Sequence, residues 1–298
     1  MQLTILGNNS ALPAYGRHPT AQLLHIHEQS FLIDCGEGTQ MRLQQYGLNA
    51  MRINYIFISH LHGDHYFGLV GLISSFSLLG RTKDLHLFAP GEMKNIIEMQ
   101  IPWKLSFAIH YHLMSESEDR ILLNEDKFEV SCFPVNHSIP THGFTFIEKK
   151  RKRILLPEKV KEYEIPKYFY RQLTDGLDYE DKYGNITRNE WVTQEGLLPK
   201  KYVFAADTRY DESLVKYAAE CDLLYHETTY LQEQQQKAID RLHSTSVEAA
   251  HIARLAQVKQ LLIGHFSSKY KKIDPFLKEA KTVFENVQLA IEGETYTI

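Results

Sequence analysis

The sequence predicts an α/β sandwich, two sheets each covered by helices on its outer side. Three observations predict it. Apolar runs of strand length recur along all 298 residues, with helical patterns in many of the gaps. Chemistry-bearing polar residues stand where several of those runs end, as they do when a sheet presents side chains along one edge. Hydrophobic residues make up 43% of the chain and charged residues 23%, so a substantial core can form.

In chain order, the strand candidates of the first half are residues 3–6, 22–27, 30–34, 55–59, 85–89, 128–135 and 143–148. Residues 202–206, 223–226, 260–264 and 287–291 follow in the second half. Helical patterns cover residues 39–46, 64–79, 92–100, 212–219, 246–256 and 275–284. The whole chain, 1–298, reads as one domain of two mixed sheets flanked by helices. Residues 149–200 break the rhythm. They are polar, rich in tyrosine and weakly periodic, with turn signals at Asp175-Gly176 and Tyr183-Gly184-Asn185. A long excursion between core strands is usually functional, and this one reads as an inserted arm projecting from the core.

Composition narrows the setting. Cys35, Cys132 and Cys221 are scattered and odd in number, which fits a reducing cytosol better than a disulfide framework. The N-terminus has neither a basic region nor a long apolar stretch, so no secretion signal is expected. The most apolar segment is too short for a bilayer span of about 20 residues, so no membrane partner is expected. Net charge is −4, yet residues 149–201 hold 13 Lys and Arg against 9 Asp and Glu. The run Lys149-Lys150-Arg151-Lys152-Arg153 is the densest basic patch in the chain. Most such runs are solvated loop faces, and contact with nucleic acid is the functional alternative.

The chemistry concentrates in His60-Leu61-His62-Gly63-Asp64-His65. Four ligand side chains fall in six positions, between a buried strand and an apolar helix. His and Asp suit zinc and similar divalent ions. The order divides the work, because His60 and His62 can share one ion while Asp64 and His65 face a second. The further ligands must come from other strand ends. His137 follows the run 128–135, Asp207 follows 202–206 and His265 follows 260–264. An aspartate is the natural bridge between two ions about 3.5–4 Å apart, and such a pair can share a hydroxide nucleophile. The pairs His25/His27 and His110/His112 lack an accompanying Asp-His, and His18, His86, His142 and His251 stand alone; all read as structural.

The order HxHxDH, His, Asp, His resembles the metallo-β-lactamase superfamily. Within it, Asp34 to Gln40, Asn136-His137-Ser138, His226-Glu227-Thr228-Thr229-Tyr230, His243-Ser244-Thr245 and Gly264 to Tyr270 resemble the ribonuclease Z family of tRNA 3′-processing endonucleases. The resemblance spans nearly the whole chain apart from much of the arm. It implies the αββα sandwich of the superfamily and an endoribonuclease that cuts precursor tRNA on the 3′ side of the acceptor stem, leaving a 3′-hydroxyl. It implies two Zn2+ per subunit, with His60, His62 and His137 on the first, Asp64, His65 and His265 on the second, and Asp207 bridging. A metal-bridging hydroxide would be the nucleophile, oriented by Asp64. Glu227 and His243 would lie beside the scissile phosphate, with His243 donating a proton to the departing oxygen. Asp34 would steady the site from behind. The same resemblance implies a cytoplasmic homodimer in which the arm clamps tRNA, so Lys149, Lys150, Arg151, Lys152, Arg153 and Lys269 are the expected substrate contacts. Lys269 stands where many relatives have Arg, and a lysine lacks the bidentate grip on phosphate. The alternative is another hydrolase of this fold acting on a small phosphodiester or thioester.

Overall fold

Apolar runs bounded by turns build two seven-stranded mixed sheets in the computed structural model, which describes residues 1–116, 119–149, 152–196 and 198–298. Contacts divide the chain into two compact units. The larger holds Met1–Asn124, Phe128–Ile147 and Lys200–Ile298.

In the first sheet the strands run, from edge to edge, Thr295–Thr297, Gln2–Gly7, Ala21–Ile26, Gln29–Ile33, Ile53–Phe57, Leu85–Pro90 and Ile109–Met114. In the second they run Val287–Leu289, Leu261–Gly264, Leu223–Glu227, Lys201–Ala205, Thr141–Glu148, Phe128–Val135 and Arg120–Asn124. The strands Lys201–Ala205, Leu223–Glu227, Leu261–Gly264 and Val287–Leu289 pair in parallel, so their C-terminal ends share one edge. Ile53–Phe57 likewise pairs in parallel with both of its neighbours. This common polarity places the strand-end residues singled out in the sequence along one rim.

Between the sheets lies an aromatic core that includes Phe31, Phe57, Phe88, Phe128, Phe144, Phe146, Tyr202, Phe204 and Tyr225. Outside the first sheet, Thr39–Gln45, Leu69–Leu78 and Met93–Gln100 cover a second apolar cluster with Leu43, Leu72 and Ile97. Outside the second sheet, Ser246–Leu255 and Asp274–Lys281 cover a third with Ile252 and Phe276. The result is the helix–sheet–sheet–helix layering expected from the sequence.

Two expectations shift in detail. The helical pattern at 64–79 forms two helices, Gly63–Tyr66 and Leu69–Leu78. Gly68 explains the break. Its N–H donates to the Cys35 carbonyl, and a Cβ there would come within 2.3 Å of the Gly36 carbonyl oxygen. The strands Ile109–Met114, Arg120–Asn124 and Thr295–Thr297 carry little signal because all three lie at sheet edges, half exposed and short or charged.

The smaller unit comprises Glu125–Lys127 and Glu148–Pro199. It has a core of its own, Val160, Ile165, Leu173 and Val192, beneath the helices Pro157–Glu162, Tyr170–Thr174 and Asn189–Val192. Ile154–Leu155 pairs with Thr193–Gln194, and Tyr179–Glu180 pairs with Ile186–Thr187 around a turn in which Asp181 accepts from the Tyr183 and Asn185 amides. The free cysteines are all buried, and burial pushes the Cys35 and Cys221 thiols up to about 12. Among the described residues, no helix is long and apolar enough to cross a membrane.

Candidate metal centre

Four of the five candidate ligand histidines in this centre have one ring nitrogen aimed by what the other does. Ser59 ends the run after Ile53–Phe57, and its hydroxyl donates to Asp34 Oδ2 at 2.9 Å. That leaves the Ser59 oxygen to accept from His60 Nδ1 at 3.0 Å, which frees the lone pair on His60 Nε2. His137 Nδ1 donates to the Leu242 carbonyl at 2.9 Å, which frees its Nε2. His62 Nδ1 lies 3.0 Å from His60 Nε2 and 3.1 Å from His137 Nε2. Three nitrogens therefore converge on one point, and Asp207 Oδ2 stands 3.8 Å from His60 Nε2 and 3.9 Å from His137 Nε2. Burial holds the His60, His62 and His137 imidazoles below the ordinary range, so they are neutral and able to act as ligands at pH 7.

The second cluster is built the same way. His65 Nδ1 donates to Asp34 Oδ2 at 2.7 Å, and His265 Nδ1 donates to Thr229 Oγ1 at 2.9 Å. Their Nε2 atoms are buried and make no hydrogen bond. His65 Nε2 lies 3.6 Å from Asp64 and 3.4 Å from Asp207; His265 Nε2 lies 3.4 Å from Asp64 and 3.1 Å from Asp207. Asp34 and His265 both adopt left-handed backbone, φ 56° and 61°, a strain concentrated at this site. The Ala11 amide donates to Asp64 Oδ2 at 2.7 Å, so the loop after Asn9–Ser10 also braces this ligand.

Two candidate ligand sets, His60/His62/His137/Asp207 and Asp64/His65/Asp207/His265, are joined at Asp207, and a third group, Glu227/His243/His265, shares His265 with the second. The donors fit divalent metal ions. The Nε2 atoms of His65 and His265 face carboxylate oxygens without a hydrogen bond, and Asp34, Asp64 and Asp207 gather negative charge around them. That charge outweighs burial and drives His65 well above the ordinary imidazole range. The site calls for positive charge at the position a cation would take.

Beside the ligands sits the pair Glu227–His243. Glu227 is 0% exposed, so it is not a solvated carboxylate. Its Oε1 accepts from His243 Nδ1 at 2.8 Å and from the Thr208 and Ser244 amides, while Oε2 accepts from the Thr229 amide and hydroxyl. Burial disfavours charge on His243, but Glu227 outweighs it and raises the imidazole to about 9. Thr245 caps the helix Ser246–Leu255 in a reciprocal box with Glu248, which fixes the backbone two residues after His243.

All seven expected ligands and the Glu227–His243 pair thus meet at one site. The ribonuclease Z of Bacteroides thetaiotaomicron is 38% identical over 300 residues, covering 100% of this chain and 95% of that protein. The chain belongs to the ribonuclease Z family. The ribonuclease Z of Cytophaga hutchinsonii is 39% identical over 305 residues, covering 100% and 96%. Human tRNase Z, short form, superposes with a TM-score of 0.72 at 28% identity, covering 100% and 99%. The metallo-β-lactamase fold protein YhfI from Bacillus subtilis superposes with a TM-score of 0.71 at 20% identity, covering 99% of each chain, a likeness of fold. Residues 1–150 match the family model described as Anti-Pycsar protein Apyc1.

Several contributors to this ribonuclease Z site have no signature of their own in the sequence. Ser59 and Thr229 work through a hydroxyl relay, and Leu242 through its carbonyl. Lys237 and Arg241 line a cleft of about 480 Å³ together with His62, His137, Tyr230 and His243, and were not among the expected contacts. Of those that were, Lys269 is exposed and lies over the Tyr270 ring at 5.6 Å. Within the smaller unit, Lys149 is half-buried, Lys152 pairs with Asp175 at 2.5 Å, and Arg153 donates to Thr193 and lies 3.8 Å from Glu195. Lys150 and Arg151 lie outside the described residues. The histidines set aside as structural stay out of the ligand clusters. Among them, His110 bonds Asp84 at 2.8 Å and His86 lies 3.1 Å from His112.

Proposed function

We propose that this chain is a zinc endoribonuclease that holds two ions per subunit and cleaves precursor tRNA on the 3′ side of the acceptor stem, leaving a 3′-hydroxyl. The observation that carries the reading is Asp207, shared by two complete ligand sets beside a buried carboxylate–imidazole pair, in a chain 38% identical to ribonuclease Z over its full length. His60, His62, His137 and Asp207 would hold one ion, and Asp64, His65, His265 and Asp207 the other. When bound, the ions supply a hydroxide at neutral pH and offset charge on the phosphate.

The chain's own residues do the rest. Asp64, braced by the Ala11 amide, aligns the attacking water. His243, kept protonated by Glu227, gives its proton to the 3′ oxygen as it leaves. Glu227 reaches no substrate because both of its oxygens are occupied, so it acts by orienting and charging His243. The smaller unit, with Lys149 to Arg153, contributes phosphate contacts, and the enzyme works as a cytoplasmic homodimer.

The test is Asp64→Ala assayed on a precursor tRNA with a 3′ trailer. Wild type yields a 3′-hydroxyl end at the acceptor stem; the variant loses turnover nearly completely while still binding the precursor. Cleavage by Asp64→Ala at the wild-type rate with full metal content would falsify the reading.

A further inference from the structure

We propose that Lys237 and Arg241 form a phosphate clamp, two cations on one face of the helix Gln235–Arg241 that hold the RNA phosphates flanking the scissile bond. The inference rests on the RNA-cleaving reading above and adds a site to it.

The two residues are four apart, so their side chains lie on one face with Cβ atoms about 5–6 Å from each other. Both are exposed, and both line the cleft that His62, His137 and His243 enter from beneath. Neither has an anionic partner or a side-chain hydrogen bond among the described residues. The contact Lys237 makes is with the face of Tyr230, 5.4 Å from its Nζ. Asp240 shares the cleft wall but accepts from Gln236 Nε2 at 3.0 Å. Arg17, by contrast, is committed: it donates to Asn9 Oδ1 and to the Tyr270 and Lys271 carbonyls.

The helix dipole does not account for the pair. A cation in the last turn is favoured, which covers Arg241, but Lys237 is in the first turn, where the dipole disfavours it. The backbone also fixes the pair relative to the chemistry. Directly after Arg241 the chain turns through Leu242 in left-handed conformation, φ 55°. The Leu242 carbonyl receives His137 Nδ1–H, and the next residue is His243. Two unneutralised cations are therefore tethered within two and six residues of the proton donor. A small phosphodiester has a single phosphate, which the metal site takes. A polynucleotide has neighbouring phosphates, and these are what the clamp can reach.

The test uses the full-length, metal-loaded enzyme and the double variant Lys237→Gln/Arg241→Gln. On precursor tRNA the variant is expected to raise KM at least tenfold with kcat within about threefold of wild type. The slope of log(kcat/KM) against log[salt] should become shallower by about 0.7 for each single-strand phosphate that the variant leaves unneutralised. Hydrolysis of bis(p-nitrophenyl) phosphate should be unchanged, which also shows that the site is intact. An unchanged KM and salt slope on the precursor, or an equal loss on the small ester, overturns the clamp. A wild-type enzyme that hydrolyses the ester but leaves precursor tRNA uncut overturns the reading beneath it, and the clamp with it.

Discussion

His243 sits in an environment unlike that of an ordinary exposed histidine. It sits two residues before the N-cap of a helix, yet its imidazole is drawn toward Glu227 and its charge is favoured at neutral pH. If it protonates the leaving oxygen, His243→Ala lowers kcat on precursor tRNA by roughly 10²–10⁴. A nitrophenolate leaving group needs no proton, so the same variant should lose far less on a nitrophenyl ester, with metal content unchanged. Equal losses on both substrates would assign His243 to substrate positioning instead. The pH profile tests Glu227 separately. A raised imidazole pKa keeps the acid form through neutral pH, and activity falls as pH climbs through the raised value, about 9. Glu227→Gln removes the charge that raises it, so the alkaline limb of kcat should move to lower pH. A limb that stays in place would mean that another group sets it. At this scale the clustering of the candidate ligands was legible, because His60, His137, Asp207 and His265 each stand after an apolar run and His62, Asp64 and His65 follow His60 directly. Ser59, Thr229 and the Leu242 carbonyl were not, because a hydroxyl relay and a backbone acceptor look like ordinary sequence until the chain is folded.

Among the elements, the helix Ser246–Leu255 shows how a local rule serves the site. Thr245 and Glu248 satisfy each other's amides, and this holds the strand-like entry on which His243 rides. Thr245→Ala should cost about 1 kcal/mol of stability, the usual worth of such a cap. Thr245→Ser should recover most of it. Urea denaturation of the two variants checks this, and an Ala variant as stable as wild type would show that the cap is redundant with the packing of Ala249 and Ile252. Elements were readable where their pattern was long and periodic, as in Ser246–Leu255. The pattern at 64–79 misled because the apolar stripe runs on through Gly68, whereas the backbone must part there to let Cys35 and Gly36 approach. The edge strands were hard to see for the opposite reason, since half-exposed residues such as His110 and His112 show no clean alternation.

For the whole molecule, division into two units separates the candidate metal site from the proposed phosphate contacts of Lys149 to Arg153. Every candidate ligand and the Glu227–His243 pair belong to the larger unit, and the smaller one has its own apolar cluster. Deleting residues 154–195 should therefore leave metal content and small-ester hydrolysis near wild type, while precursor tRNA cleavage collapses through a raised KM. Loss of ester hydrolysis together with loss of metal would show that the segment builds the site itself. The break in rhythm after residue 148 was visible in the sequence. The internal pairing of Lys152 with Asp175 and of Arg153 with Glu195 was not, because ion pairs join residues that are distant along the chain.

Leu242 has a consequence for how such a chain can vary. Its carbonyl receives the proton of His137, a candidate metal ligand, and its neighbour is the proposed acid, so two parts of the proposed reaction share a single peptide unit. Residues before Gln235 can be added or removed without altering that spacing. Between Leu242 and His243 no insertion is neutral, since one extra residue would carry the imidazole off Glu227 while the carbonyl stayed bound to His137. Variation in length is thus confined to one side of this joint, and its register is as much a part of the enzyme as any side chain.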